Sequence, residues 1–300
     1  MSGATTAAAA LPGRLRRPPR SLGGGRRWAL AGSYAALAAF VVMFLVPPFY
    51  MLMTSLKTSA EISAEKGNPW VVRHPTLDNF LYLINYPNFR GYYLNSAQVT
   101  LLVVLITMMI AVLAAFGLVR LGFWGSQTLA AGVFLTYLIP ATLLFIPLFQ
   151  VIRPLHLINN VWSLVLIYPT LTVPFCTWIL IGYFSSIPKE LDDAALIDGC
   201  GYVQMLRRIF IPVALPGIIA ATIFAFTVSW GQFLYPMAYL YTSNQMVLTV
   251  GIVGDLVRAD VFAWGKIMAA CVLAAAPPVL IYAFLMDYYI AGLTAGATKG

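Results

Sequence analysis

Residues 154–188, PLHLINNVWSLVLIYPTLTVPFCTWILIGYFSSIP, contain no Asp, Glu, Lys or Arg, whereas the next eleven, KELDDAALIDG over Lys189–Gly199, contain five. The first stretch can supply the about 20 apolar residues that cross a bilayer; the second is costly in lipid and belongs outside it. The same alternation runs through the chain, with charge-free stretches at 28–56, 91–119, 121–152, 154–188, 209–254 and 267–286. Of the 300 residues, 61% are hydrophobic and 9% charged, against about 25% charged in soluble domains. A soluble domain is thereby excluded, and the fold class is all-α: a polytopic bundle of transmembrane helices.

Six spans are predicted, at roughly 28–52, 96–119, 127–151, 161–183, 214–238 and 267–290. The stretch 209–254 is long enough for two crossings, but Pro236 and the polar Tyr241-Thr-Ser-Asn-Gln245 interrupt it. Met246–Gly254 is too short to span and reads as an external loop. Pro140, Pro147, Pro169, Pro174, Pro216, Pro277 and Pro278 are expected as kinks whose freed backbone groups neighbouring helices satisfy.

Arg14, Arg16, Arg17, Arg20, Arg26 and Arg27 precede the first span, which by the positive-inside rule puts the N-terminus in the cytoplasm, and six crossings return the C-terminus there. Three regions follow: a disordered basic tail at 1–27 that suits a membrane surface better than nucleic acid, a six-span domain at 28–292, and a cytoplasmic tail at 293–300. Trp28–Leu52 is too long and bulky for a cleaved signal and reads as an uncleaved anchor. Cys176, Cys200 and Cys271 have neither disulfide nor metal-ligand spacing.

The passage 184–213 therefore faces the cytoplasm. Ser186 and Pro188 form a helix start, Glu190, Asp192 and Asp193 place negative charge in the first turn, and Gly199 is the stop. A second helix carries Tyr202, Met205, Leu206 and Ile209 at i, i+3, i+4, i+7, with Pro212 beyond it. Helices this short are marginal alone and must dock; the small Ala194, Ala195 and Gly199 would allow close approach. Packing beneath the chain's own bundle and docking on another protein both meet that requirement.

The passage resembles the coupling loop of permease subunits in binding-protein-dependent ABC importers, whose signature is Glu-Ala-Ala, three residues, Gly, nine residues, Ile-x-Leu-Pro. Here it reads Asp193-Ala194-Ala195, Gly199, then Ile209-Phe210-Ile211-Pro212, with both spacings kept. Thr54-Ser-Leu-Lys57, Pro75-Thr-Leu-Asp-Asn79, Asn95-Ser96, Ile146-Pro-Leu-Phe149 with Leu157-Ile158, and the ending Gly292–Gly300 extend the likeness to carbohydrate permeases, in particular the smaller, maltose-permease-like subunit. Trp230-Gly231-Gln232-Phe233 stands where that family usually has Trp-Asn-Glu-Phe, and the basic residues usual before the tail are absent around Asp287 and Ala291.

The resemblance implies an inner-membrane permease that works with a second permease, two ATP-binding cassette subunits and an extracytoplasmic solute-binding protein. It implies that Asp193, Ala194, Ala195, Gly199, Ile209 and Pro212 meet the ATPase, and that Tyr241, Thr242, Ser243 and Asn244 meet the binding protein. The sequence has no Gly-x4-Gly-Lys-Ser/Thr loop, so ATP would be bound by a partner and no cofactor by this chain; no bond-making chemistry is expected. Polar residues inside spans, Gln150, Thr227, Ser229, Trp230 and Gln232, together with Tyr235, are candidates for the solute path, with Trp230 and Tyr235 able to stack on a sugar. Interhelical hydrogen bonding accounts for such residues equally well. Another small polar solute remains the alternative cargo. An ion-coupled carrier or a membrane enzyme would need ionisable residues at mid-membrane, and His74 and His156 both fall outside the spans.

Overall fold

The apolar runs fold into long helices because lipid offers the backbone no partner and a helix satisfies its own groups. The computed structural model describes residues 24–64, 68–258 and 261–297, with backbone alone at 24–26, 258, 261 and 287–297. Most of the predicted basic tail, 1–23, and the end of the C-terminal tail, 298–300, lie outside the described residues. The chain divides into two units, Met1–Phe49 and Tyr50–Gly300. The described part of the first is the greater part of helix α1 (Gly24–Ser55); every contact discussed below is within the second.

Five helical stretches are long and apolar enough to cross a membrane: Arg27–Ser55, Pro87–Arg120, Trp162–Ser185, Leu215–Tyr239 and Trp264–Met286. They correspond to α1, α4 (Pro87–Arg120), α7 (Trp162–Ser185), α11 (Leu215–Trp230) with α12 (Leu234–Tyr239), and α14 (Trp264–Ala297). The predicted span 96–119 starts late, because Pro87, with its φ preset and its missing N–H harmless at a helix start, opens α4 a few turns earlier. Two boundaries move outward: α1 already includes the last four residues of the predicted 1–27 tail, and the α14 backbone runs through Ala297, past the expected end of the last span.

The predicted span 127–151 is corrected. It is two helices, α5 (Ser126–Tyr137) and α6 (Ala141–Ile152), bent at 99° to one another. Pro140 has no N–H to continue the ladder and disfavours helical geometry at Ile139; its own ψ of 128° turns the chain out of line before α6 begins. A sixth crossing thus exists only as a broken one.

The predicted external loop Met246–Gly254 is also corrected, since α13 (Leu248–Leu256) occupies it. Nine residues cannot span, yet they fold here because Leu248, Val250, Ile252 and Leu256 are buried and the Leu248 N–H, free at the helix start, donates to Ser96 Oγ (2.8 Å). Gly251 lies so close to the Tyr92 ring that a Cβ would overlap it. A two-residue antiparallel ribbon, Val257–Arg258 with Val261–Phe262, joins α13 to α14.

Short helices α2 (Ser59–Ile62) and α3 (Asp78–Asn85) lie between the first two spans. Asn79 Nδ2 donates to the Ser55 and Lys57 carbonyls (both 2.9 Å), and the buried Lys57 Nζ donates to the Asn68 and Pro69 carbonyls (2.8 and 3.0 Å). The Thr54–Lys57 and Pro75–Asn79 segments, far apart in sequence, thus form one hydrogen-bonded corner. Within the membrane, Trp230 Nε1 donates to the Ala274 carbonyl (2.9 Å). That carbonyl would ordinarily accept from residue 278, which is a proline.

After α7 come α8 (Glu190–Ile197), α9 (Tyr202–Met205), a π-turn over Leu206–Phe210 and α10 (Ile211–Val213). Pro212 does not lie beyond the second short helix, as expected, but inside a helical run leading to α11. The wide turn, closed by the Ile211 N–H on the Leu206 carbonyl, accommodates the proline without breaking the chain's course.

Candidate functional site

The polar passage between α7 and α11 is folded throughout. Glu190, Asp192 and Asp193 sit in the first turn of α8, where the helix dipole favours negative charge. Gly199, at φ +77°, ends the helix in the left-handed region, with Gly199 N–H on the Leu196 carbonyl (3.0 Å) and Cys200 N–H on the Ala195 carbonyl (2.9 Å). This paired closure needs a residue without a Cβ penalty at 199. Gln204 Oε1 accepts from the Gly201 N–H (3.3 Å) and starts α9.

One side of this device is buried. Ala195, Met205 and Phe210 belong to a core that includes Phe116 of α4 and Phe184 of α7, and the Phe210 ring meets those two edge-on at 5.1 and 5.4 Å. Ala195 therefore lets α8 lie close on its own bundle rather than on a partner, which corrects its expected placement among the open small residues. The other side is open and apolar: Leu191, Leu196, Ile197, Tyr202 and Val203 are exposed, Ile197 at 86% and Val203 at 79%. Asp193, Ala194, Gly199 and Pro212 are also exposed, and Ile209 is half-buried. A contiguous apolar patch on a polar segment marks a contact surface.

Arg120, the last residue of α4, closes the buried side. Its Nη2 donates to the carbonyls of Phe184 (3.1 Å) and Ile187 (2.5 Å), its Nη1 lies 3.3 Å from Asp192 Oδ2, and its guanidinium stacks on Phe210 at 4.7 Å. Burial pushes the Asp192 carboxyl above the usual carboxylate range, and the Arg120 charge opposes that rise. Sequence reasoning assigned Arg120 to a loop and gave Asp192 no partner. The available signal was that Arg120 is the one charged residue in 91–152.

At the far end of α4, about 37 Å away at 1.5 Å per residue, the 240–248 segment is equally built. Asn159 (φ +58°) accepts at Oδ1 from the Tyr241 N–H, the Thr242 N–H and the Thr242 hydroxyl, each 3.0 Å, and its own N–H donates to the Tyr239 carbonyl (2.8 Å). Asn95 Nδ2 donates to the carbonyls of Asn244 (3.0 Å) and Met246 (2.8 Å), and Gln245 Oε1 accepts from the Val161 N–H (3.0 Å). On this frame Tyr241, Ser243 and Asn244 are exposed and Thr242 half-exposed.

The six path candidates do not converge. Ser229, Trp230 and Gln232 line a cavity of about 10 Å³ with Ser96, Thr100 and Tyr168, which is room for one water and none for a sugar. Trp230 is committed to Ala274, and the buried Tyr235 donates its hydroxyl to the Ala141 carbonyl (2.6 Å), so neither presents a free ring face. Gln150 and Thr227 are exposed, the latter 3.3 Å from the Tyr282 hydroxyl. Sequence reasoning missed an aromatic column across α5, α7 and α11: Phe134 stacks on Trp178 (4.9 Å), Trp178 on Phe175 (5.7 Å), Phe175 on Tyr137 (4.8 Å), and Phe224 leans on Phe175 (4.3 Å). Its trace was aromatic pairs three residues apart, Phe134/Tyr137 and Phe175/Trp178.

A polytopic helical bundle with a folded, apolar-faced device at one end and a braced loop at the other defines a membrane transport subunit. Residues 100–294 match the family described as "Binding-protein-dependent transport system inner membrane component", and the chain belongs to it. It is 34% identical over 268 residues to the sulfoquinovosyl glycerol transport system permease protein SmoH of Agrobacterium fabrum, covering 89% of this chain and 93% of that one. It is 33% identical to the inner membrane ABC transporter permease protein YcjP of Escherichia coli (90% and 96% covered) and 32% identical to the trehalose/maltose transport system permease protein MalG of Thermococcus litoralis (89% and 95% covered). The fold is similar to a chain in the crystal structure of a bacterial ABC transporter that imports the acidic polysaccharide alginate, with a TM-score of 0.79 at 20% identity over 91% of this chain and 100% of that chain. The chain is a multi-pass permease subunit of a binding-protein-dependent ABC importer.

Proposed function

We propose that this permease imports a carbohydrate, that the α8–α10 segment faces the cytoplasm and receives an ATP-binding subunit, and that the 240–248 segment faces outward and receives the solute-binding protein. A second permease completes the pathway. The observation that carries the coupling reading is the two-sided geometry of α8 and α9. Their inner face is locked into the bundle, and the outer face, with Ile197 at its crest, is exposed and apolar.

The chain's own chemistry in transport is mechanical, and ATP is held by the partner. An outer face that binds one nucleotide state of the ATPase more tightly than the other biases the bundle between its two access states, since only a difference in contact free energy shifts such an equilibrium. The carbohydrate reading draws on relatives named for sulfoquinovosyl glycerol and for trehalose and maltose. It draws also on the aromatic column, where Trp178 and Tyr137 keep 46% and 40% of their surface open and offer ring faces to the C–H side of a sugar. Thr227 and Tyr282 place two hydroxyls on neighbouring helices for the polar side.

The test is co-purification of the co-expressed ATP-binding subunit with Ile197→Asp. A tenfold loss of association is expected, and undiminished association would count against the docking role. In proteoliposomes, ATPase stimulation by the binding protein loaded with maltose, trehalose or spermidine separates the carbohydrate reading from the polyamine one. Labelling of Ile197→Cys by an impermeant maleimide only after cell lysis checks the orientation.

A further inference from the structure

Arg120 is where four parts of the chain meet on one side chain. It ends α4, binds two carbonyls at the end of α7, pairs with the first turn of α8 and stacks on the π-turn before α10. Its side chain is 4% exposed. Helix ends leave carbonyls without intrahelical partners, so the Phe184 and Ile187 carbonyls are natural acceptors. The planar guanidinium can bond them and still present its other edge to a carboxylate, a division of labour that a lysine ammonium cannot reproduce.

By covalent connection alone, α8 joins α7 only through the turn Ser186–Lys189. A push on α8 transmitted through such a turn would bend the turn before it moved the bundle. We infer that Arg120 is the positioning residue that fixes α8 to α4 and α7 as one body, so that a displacement of α8 passes directly into α4. Because α4 runs unbroken from Arg120 to Asn95, which holds the Asn244 and Met246 carbonyls, the same rod reaches the braced loop at the other end. This inference rests on the reading that an ATPase subunit docks on α8; Arg120 itself makes no part of that docking face.

The test uses the complex with its ATPase subunits in lipid nanodiscs, with amide exchange followed at 190–197 and 240–247, with and without ATP and vanadate, beside ATP turnover. Arg120→Ala is expected to keep the ATPase bound and ATP turnover within twofold, to speed exchange at 190–197 at least tenfold, and to abolish the nucleotide-dependent change at 240–247. Arg120→Lys falls between it and the native chain. Asp192→Asn, which keeps the carbonyl bonds and the fold, loosens 190–197 alone by a few-fold. Native exchange at 190–197 in Arg120→Ala, or a preserved nucleotide response at 240–247, overturns the inference. A native chain that binds no ATPase would instead sink the docking reading, while the exchange at 190–197 still reports whether Arg120 holds α8.

Discussion

Trp230→Phe removes one N–H and little else, because the replacement ring still fills most of the space between Phe226, stacked at 5.6 Å, and Tyr93, edge-on at 5.6 Å. The lost donor is the partner of the Ala274 carbonyl, which Pro278 leaves without its helical N–H. Interhelical hydrogen bonds in membranes average only about 0.6 kcal/mol because the unfolded reference state finds other partners. A buried acceptor left with none costs about 1–3 kcal/mol. Trp230→Phe is therefore expected to destabilise by about 1–2 kcal/mol, between those limits. In a Pro278→Ala background residue 278 supplies the N–H itself, and Trp230→Phe should then cost only the lost packing, under about 1 kcal/mol. The coupling energy of this double-mutant cycle, about 1 kcal/mol, is the quantity to measure, by reversible unfolding in mixed SDS and mild-detergent micelles. Equal costs of Trp230→Phe in both backgrounds would falsify the assignment of Trp230 as the carbonyl's substitute donor.

Gly217→Val drives a side chain into the Tyr183 ring at the α7–α11 contact and should cost about 1–3 kcal/mol by overpacking, a loss that Tyr183→Ala partly reverses in the same unfolding assay. Asn159→Gly keeps the left-handed backbone but removes three acceptor contacts to Tyr241 and Thr242; exchange at those amides should rise at least tenfold and binding-protein affinity fall, with α13 protection unchanged. The Glu61 carboxylate accepts from the N–H groups of Arg73 (2.8 Å) and His74 (3.3 Å), chiefly the former holding its pKa below the ordinary 4.5. A depressed carboxyl stabilises above its unfolded pKa and loses that contribution as pH falls through the folded one. The stability difference between native and Glu61→Gln should accordingly be constant at neutral pH and vanish on acidification below 4.5, as followed by pH-dependent unfolding.

Long-range geometry marks the boundary of what was legible. Charge-free runs locate the spans because the cost of charge in lipid is a local property of composition. Gly199 was legible as a helix stop for a similar reason, since the left-handed turn it adopts is set within a few residues. Asn95, Ser96 and Asn159 were visible as polar residues, but the carbonyls and amides they hold belong to segments far along the chain. Trp230 and Tyr235 show the converse. Their amphipathic rings suited a sugar equally well on paper, and only the positions of the Ala274 and Ala141 carbonyls decide that their polar tips face protein. Pro140 was read as a kink and is a 99° corner, because whether a helix resumes in line after a proline depends on the ψ that its neighbours impose.

The π-turn at Leu206–Phe210 has a consequence for phase. Each residue of an α-helix advances the face by about 100°, so one extra residue in a turn rotates everything after it by that amount relative to everything before. The coupling segment and α11 are thus geared to each other with a fixed angular offset, held by the Ile211 N–H on the Leu206 carbonyl. Deleting one residue between Leu206 and Phe210 would leave a regular helix of good hydrogen bonding while turning Gly217 away from Tyr183. The chain would keep its secondary structure and lose its timing.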